Sequence, residues 1–201
     1  MHKPKGLLIV FSGPSGSGKG TVLAEAMRQS QDLEISVSAT TRAPRVGEVD
    51  GVNYFFQSKE AFQEMIAQDG FIEWAQFCEN YYGTPRAYVE SRLAQGKDVV
   101  LEIEVQGAMQ VKKAFPDSVL IFNLPPSLEE LRARLIGRQT ESIEVVDQRL
   151  SAAKQELAMA KEYDYIIVND EVSLAAKKFL SIVETEKLRA DRNHDLLRAF
   201  Q

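Results

Sequence analysis

A chain of 201 residues is the length of one domain with room for a modest insertion. Its 44% hydrophobic and 26% charged content belongs to a folded globular protein and excludes wholesale disorder. With 24 Lys and Arg against 29 Asp and Glu, the net charge of -5 argues against nucleic acid or an anionic membrane as partner.

The apolar run at residues 7–11, behind a short basic start, is too brief for a secretory leader. It is also far below the ~20 residues of a membrane span. Cys78 is the only cysteine, so an internal disulfide and a thiolate metal cluster are both excluded. The expected compartment is a reducing cytoplasm.

Residues 7–11 read as a strand buried on both faces of a parallel sheet. Gly13-Pro14-Ser15-Gly16-Ser17-Gly18-Lys19-Gly20-Thr21 follows that strand and opens a helix predicted to residue 29. This is the Gly-x-x-x-x-Gly-Lys spacing of a P-loop in its required strand-to-helix setting. Glycines let backbone N–H groups converge on phosphate oxygens, and the helix start adds positive dipole. Lys19 supplies a point charge for the β and γ phosphates. A plain Gly/Ser turn is the competing reading, but it has no use for this spacing or this lysine. Gly20 stands where many P-loops place a Ser or Thr hydroxyl on Mg²⁺, and Thr21 lies one step further along.

A strand is expected at 35–39. Arg42 and Arg45 then sit three apart around Pro44, which stiffens the loop. Their forks suit a phosphate, although solvated surface arginines fit the loop equally well. Residues 40–87 are dense in aromatics, arranged in short extended pieces with one helix at 59–68. They read as a small mixed sheet inserted into an α/β core. Tyr54, Tyr82 and Thr84 supply hydroxyls there, and Glu73 lies among Phe71, Trp74 and Phe77.

A second apolar run covers 99–105, and within it 99–104 reads as a buried strand ending in acids. Strand alternation would then put Glu102 and Glu104 on one side. Helix 107–114, strand 119–124 and helix 127–138 follow, with Ser127 as N-cap. Arg134 and Arg138, four apart, share a helix face. A polar connection at 137–144 leads to helix 145–162, which holds Arg149. By themselves these arginines read as a solvated surface. Strand 165–168 precedes Asn169, and a last helix begins near 174. The alternation of strands and helices predicts an α/β fold with a parallel sheet flanked by helices.

The P-loop, the run Ser38 to Arg45 with Gly47-Glu48, Glu73-Trp74, Tyr81-Tyr82-Gly83-Thr84, Glu102 to Gly107 and Asn169-Asp170 together resemble the guanylate kinase family. The resemblance spans about residues 6–183. It implies a P-loop core (1–39, 88–136 and 150–201), a GMP-binding insertion (40–87) and a helical lid (137–149). It implies Mg²⁺-dependent phosphoryl transfer from ATP to GMP or dGMP. Lys19, Arg42, Arg138 and Arg149 would be catalytic. Residues 13–21, Arg134 and Asn169 would bind ATP. Ser38, Arg42, Arg45, Tyr54, Glu73, Tyr82, Thr84 and Glu104 would bind GMP, and Glu102 would act indirectly on the metal.

Two other readings stay open to the sequence. A phosphopeptide-binding module of guanylate-kinase type would keep the insertion but generally lack a competent phosphate loop and lid. Another nucleoside monophosphate kinase would share Gly20-Thr21, which is similar to the adenylate kinase loop. Monomer and homodimer fit the sequence equally.

Overall fold

The computed structural model describes residues 5–136 and 143–194. In chain order the first elements are β1 (Leu8–Ser12), α1 (Lys19–Gln29), β2 (Leu33–Ile35), β3 (Ala39–Thr40), β4 (Phe55–Phe56) and α2 (Lys59–Ala67). Next come β5 (Phe71–Phe77), β6 (Asn80–Pro85), α3 (Arg86–Ala94), β7 (Asp98–Glu102) and α4 (Val105–Ala114). The last are β8 (Val119–Leu124), α5 (Leu128–Ile136), α6 (Ile143–Ala158), β9 (Tyr165–Val168) and α7 (Val172–Lys187). Packing divides the chain into two compact units, Met1–Ser12 with Asp32–Leu120 and Gly13–Gln31 with Ile121–Gln201.

In the first unit β7 pairs in parallel with β1 and with β2, Leu8 opposite Val99 and Leu33 opposite Asp98. Strands covered on both faces carry no outward polar side, which is why Leu8–Phe11 and Val99–Leu101 are buried throughout. Helices α3 and α4 pack on this layer through Val89, Leu93, Ala108 and Val111. The expected strand at 35–39 resolves differently. Its first part belongs to β2, and Ala39 joins a second sheet ordered β4-β3-β6-β5.

One face of that smaller sheet rests on α2. Ser58 caps the helix by accepting from the Ala61 N–H at 3.1 Å, and Phe62 is fully buried. Phe62 stacks on Phe71 at 4.2 Å and on Tyr81 at 5.5 Å, with Ala39 completing the cluster. A bulge lies between Phe71 and Glu73. Phe71 pairs with Pro85 and Glu73 with Thr84, so two residues of β5 answer one of β6. Without the extra residue, Phe71 and Glu73 would share a face. With it, Phe71 enters the α2 core while Glu73 turns to the other side.

Strand β7 ends at Glu102, short of the predicted residue 104. Glu104 is the N-cap position of α4 in extended conformation, and its side chain caps nothing. The two acids therefore do not alternate along one strand. The break occurs because α4 starts at Val105, whose side chain and those of Ala108 and Val111 supply a buried helical face.

In the second unit β8 and β9 pair in parallel, Ile121 opposite Tyr165. Helices α1 and α7 pack together, and their buried residues include Val22, Leu23 and Ala26 on one and Ala176, Phe179 and Val183 on the other. Ser127 accepts from the Glu130 N–H at 3.1 Å and so starts α5. Leu131 and Leu135 of α5 pack with Val146, Leu150 and Ala153 of α6. None of the described helices is long and apolar enough to cross a membrane.

Phe62→Ala should cost about 3–5 kcal/mol, the usual loss for an excavated aromatic. Urea unfolding followed by fluorescence of Trp74, the single tryptophan and a residue of β5, measures it.

Candidate functional site

The predicted site residues fall into two groups, one in each unit. In the second unit the loop after β1 runs through three left-handed glycines, Gly13 (φ 144°), Gly16 (φ 90°) and Gly18 (φ 87°). Two of them allow close approaches that a side chain would block. A Cβ on Gly13 would lie 2.2 Å from the Asn123 carbonyl oxygen, and one on Gly18 would lie 2.5 Å from Asn169 Nδ2.

The Ser17 N–H donates to the Pro14 carbonyl at 3.0 Å, which closes a turn. Gly18 caps α1, and the first helical bond runs from the Val22 N–H to its carbonyl at 3.1 Å. The N–H groups ahead of that bond have no helical acceptor and are the donors that an anion would meet. Lys19 Nζ donates to the carbonyls of Gly13 and Pro14, so its ammonium lies against the loop's own oxygens. Pro14 and Ser17 are buried, while Ser15 and Gly20 are exposed.

Arg134 does not extend into solvent. Its guanidinium donates to Glu130 Oε1 at 2.8 Å, to the Asn169 carbonyl at 3.2 Å and to the Ser17 carbonyl at 3.4 Å. Asn169 Nδ2 donates to the same Ser17 carbonyl at 2.8 Å. These residues wall a cavity of about 260 Å3 with Gly16, Gly18, Thr21, Asp170 and Val172. Thr21 thus reaches the cavity where Gly20 has no side chain to offer. Arg149 lies on α6 and is not part of this wall. Arg138 lies outside the described residues.

In the first unit the second group gathers on the face of the small sheet turned away from α2. Antiparallel register sets Tyr82 opposite Thr40 and Ala75, and Thr84 opposite Glu73. Tyr82 and Thr84, two apart on β6, point the same way. The Tyr54 and Tyr82 rings meet edge to face at 6.2 Å. The Arg42 guanidinium lies over the Tyr54 ring at 5.4 Å and the Phe56 ring at 5.9 Å. The Ser38 carbonyl extends the β3–β4 ladder by accepting from the Phe55 N–H at 2.9 Å.

Arg42 is also bound to Glu48, at 2.8 Å, and the Arg45 N–H donates to the other Glu48 oxygen at 2.7 Å. The Arg42 guanidinium and then the Arg45 N–H hold the Glu48 carboxyl below its ordinary range. One carboxylate thereby sets both arginines of the loop, while the Arg45 side chain stays exposed.

Glu73 is only 7% exposed and accepts from the Thr84 hydroxyl at 2.6 Å. Burial pushes its carboxyl above the ordinary range, and the Thr84 hydrogen bonds offset part of that rise. Helix α4 makes room for it. A Cβ on Gly107 would lie 2.9 Å from Glu73 Oε2, and the Gln110 amide pairs with both backbone groups of Trp74 at 3.2 Å. Glu102 and Glu104 lie exposed where β7 gives way to α4. Sequence reasoning did not single out Glu48 as the partner of Arg42, nor Gly107 and Gln110 as supports of Glu73.

The guanylate kinase family model matches residues 5–186. A guanylate kinase of Halalkalibacterium halodurans is 54% identical over 192 residues, 96% of this chain and 94% of that protein. One from Streptococcus pneumoniae is 57% identical over 189 residues, 94% and 91% of the two chains. The crystal structure of guanylate kinase from Anaplasma phagocytophilum superposes with a TM-score of 0.75 at 33% identity, covering 96% of this chain and 92% of its own.

The raised Glu73 carboxyl has a pH signature. The folded chain holds a proton there that the unfolded chain releases near the usual value of 4.5. The stability this group contributes is full below that pH and is lost as pH rises through the raised value. Thr84→Val removes the hydroxyl donor and raises the carboxyl further. Urea unfolding should show a deficit of about 1–3 kcal/mol at pH 8 that shrinks toward pH 4.

Proposed function

The chain belongs to the guanylate kinase family, and from that premise we propose that it transfers the γ-phosphoryl group of ATP to GMP, giving ADP and GDP. The observation that carries the choice of acceptor is the buried Glu73–Thr84 pair. Guanine presents donors at N1 and N2 and an acceptor at O6. On binding, the N1 and N2 donors take over Glu73, and Thr84 and Ser38 turn their hydroxyls to O6. Glu104 is assigned to the same base. Adenine would present a ring-nitrogen acceptor to Glu73 and leave the carboxylate unpaired, an error worth ~10⁴ or more in selectivity.

Arg42, Arg45, Tyr54 and Tyr82 hold the GMP phosphate. Glu48 keeps Arg42 extended over Tyr54 until that phosphate arrives. In the ATP site residues 13–21 cradle the phosphates, and Lys19 leaves the Gly13 and Pro14 carbonyls for the β and γ oxygens. Arg134 and Asn169 line the remainder of the nucleotide cavity. Phosphoryl transfer asks for alignment and charge neutralisation rather than covalent help. Lys19, Arg42, Arg138 and Arg149 supply the positive charge, a contribution worth ~10³–10⁵ where arginine fingers act. The acceptor oxygen already carries charge, so no general base is needed.

Mg²⁺ bound to ATP would neutralise charge on the β and γ phosphates. Gly20 offers no hydroxyl where many P-loops hold the ion, so the ion would rest on phosphates, water and a carboxylate. Glu102 is the carboxylate assigned to it, acting through water. We place the enzyme in the cytoplasm, without nucleic acid or membrane as partner. A phosphopeptide module has no need for Lys19 or for glycines at 13, 16 and 18, and their geometry favours the kinase.

The test is ADP formation from MgATP with GMP, dGMP, AMP, CMP and UMP in parallel. GMP and dGMP are turned over, and AMP is slower by ~10⁴ or more. Equal turnover of AMP and GMP would reject the base site, and no turnover with any would favour the module. Lys19→Ala should lower kcat by at least about 10²-fold, as loss of a charge-stabilising donor does, while GMP binding by calorimetry survives.

A further inference from the structure

Strand β8 reads Val-Leu-Ile-Phe-Asn-Leu, and Asn123 is its only polar residue. It is fully buried. An amide in such a place is costly unless its polar atoms are used, and only half of this one is. Asn123 Nδ2 donates to the Ser17 carbonyl at 2.9 Å and lies 3.2 Å from the Ser17 hydroxyl oxygen, while Oδ1 has no partner. The orientation follows from chemistry, since a carbonyl oxygen accepts only from the NH₂ side. Asn169 repeats the arrangement, with Nδ2 at 2.8 Å from the same carbonyl and Oδ1 unpartnered.

We propose that Asn123 is a positioning residue for the phosphate loop, holding the Ser17–Gly18 peptide so that the Gly18 N–H is presented to the ATP phosphates. The peptide is planar and trans, so its C=O and N–H point in opposite directions. Anchoring the Ser17 carbonyl in the β8 side of the loop therefore aims the Gly18 N–H away from those amides. That N–H has no acceptor among the described residues, as an anion donor requires. Gly18 tolerates the required positive φ, and Gly13 lets the Asn123 backbone come close enough to reach. The inference rests on residues 13–21 being the ATP phosphate site.

Asn123→Leu tests it, with KM for ATP and for GMP measured separately alongside the melting temperature. The Ser17 carbonyl keeps Asn169 and Arg134, and the substitution also removes the unpartnered Oδ1. The fold should therefore be as stable as the wild type or slightly more so. KM for ATP should rise about three- to tenfold, the factor that one hydrogen bond makes in an equilibrium constant, with KM for GMP unchanged. Unchanged values for both nucleotides would overturn the proposal. So would parallel losses in both KM values and in melting temperature, which mark a structural role. Should Asn123→Leu not fold, Asn123→Ala carries the same comparison. Failure of the wild-type protein to bind ATP would instead reject the underlying site.

Discussion

A carboxylate can tell guanine from adenine only if water is kept from competing for it. Glu73 meets that condition, with Thr84 as its hydrogen-bond partner at 2.6 Å and little exposure. Keeping charge in such a place is unfavourable, and the raised carboxyl is the visible cost. The surroundings limit that cost through geometry. Strand β6 brings a hydroxyl opposite the carboxylate, helix α4 withholds a side chain at Gly107, and Gln110 fixes the backbone of the next residue. On the proposed function, base selection and fold stability would meet in one group.

The P-loop group is governed by backbone instead of side chains. Its glycines permit dihedrals that L-residues resist, and the neighbours of Gly13 and Gly18 leave no volume for a methyl group. Lys19 and Arg134 both rest on main-chain carbonyls. Positive charge is therefore held beside the loop against main-chain oxygens, and a phosphate can draw on it by replacing those carbonyl contacts. In the other unit, Glu48 occupies the fork of Arg42.

Much of this was legible in the residues. The P-loop announces itself because its chemistry is local, and parallel strands such as β1 and β7 show as apolar runs, Leu8–Phe11 and Val99–Leu101. Glu102 and Glu104 misled because strand alternation was extended past the point where a buried helical face at Val105 begins. Ala39 was joined to the wrong strand because short β pieces take their identity from their partners. The pairing of Arg42 with Glu48 spans a loop whose path no spacing rule supplies. Asn123 did leave a signal, a lone amide in a buried strand, but its purpose lies 106 positions away at Ser17.

The bulge in β5 has an evolutionary consequence. Because the extra residue between Phe71 and Glu73 assigns one to the α2 core and the other to the opposite face, this stretch has no spare length. A single codon lost or gained there would exchange greasy and acidic side chains across the sheet at once. A change of length would be better tolerated at the hairpin tip at Cys78 and in the Arg45–Asn53 loop, where Val46, Val49 and Val52 are exposed.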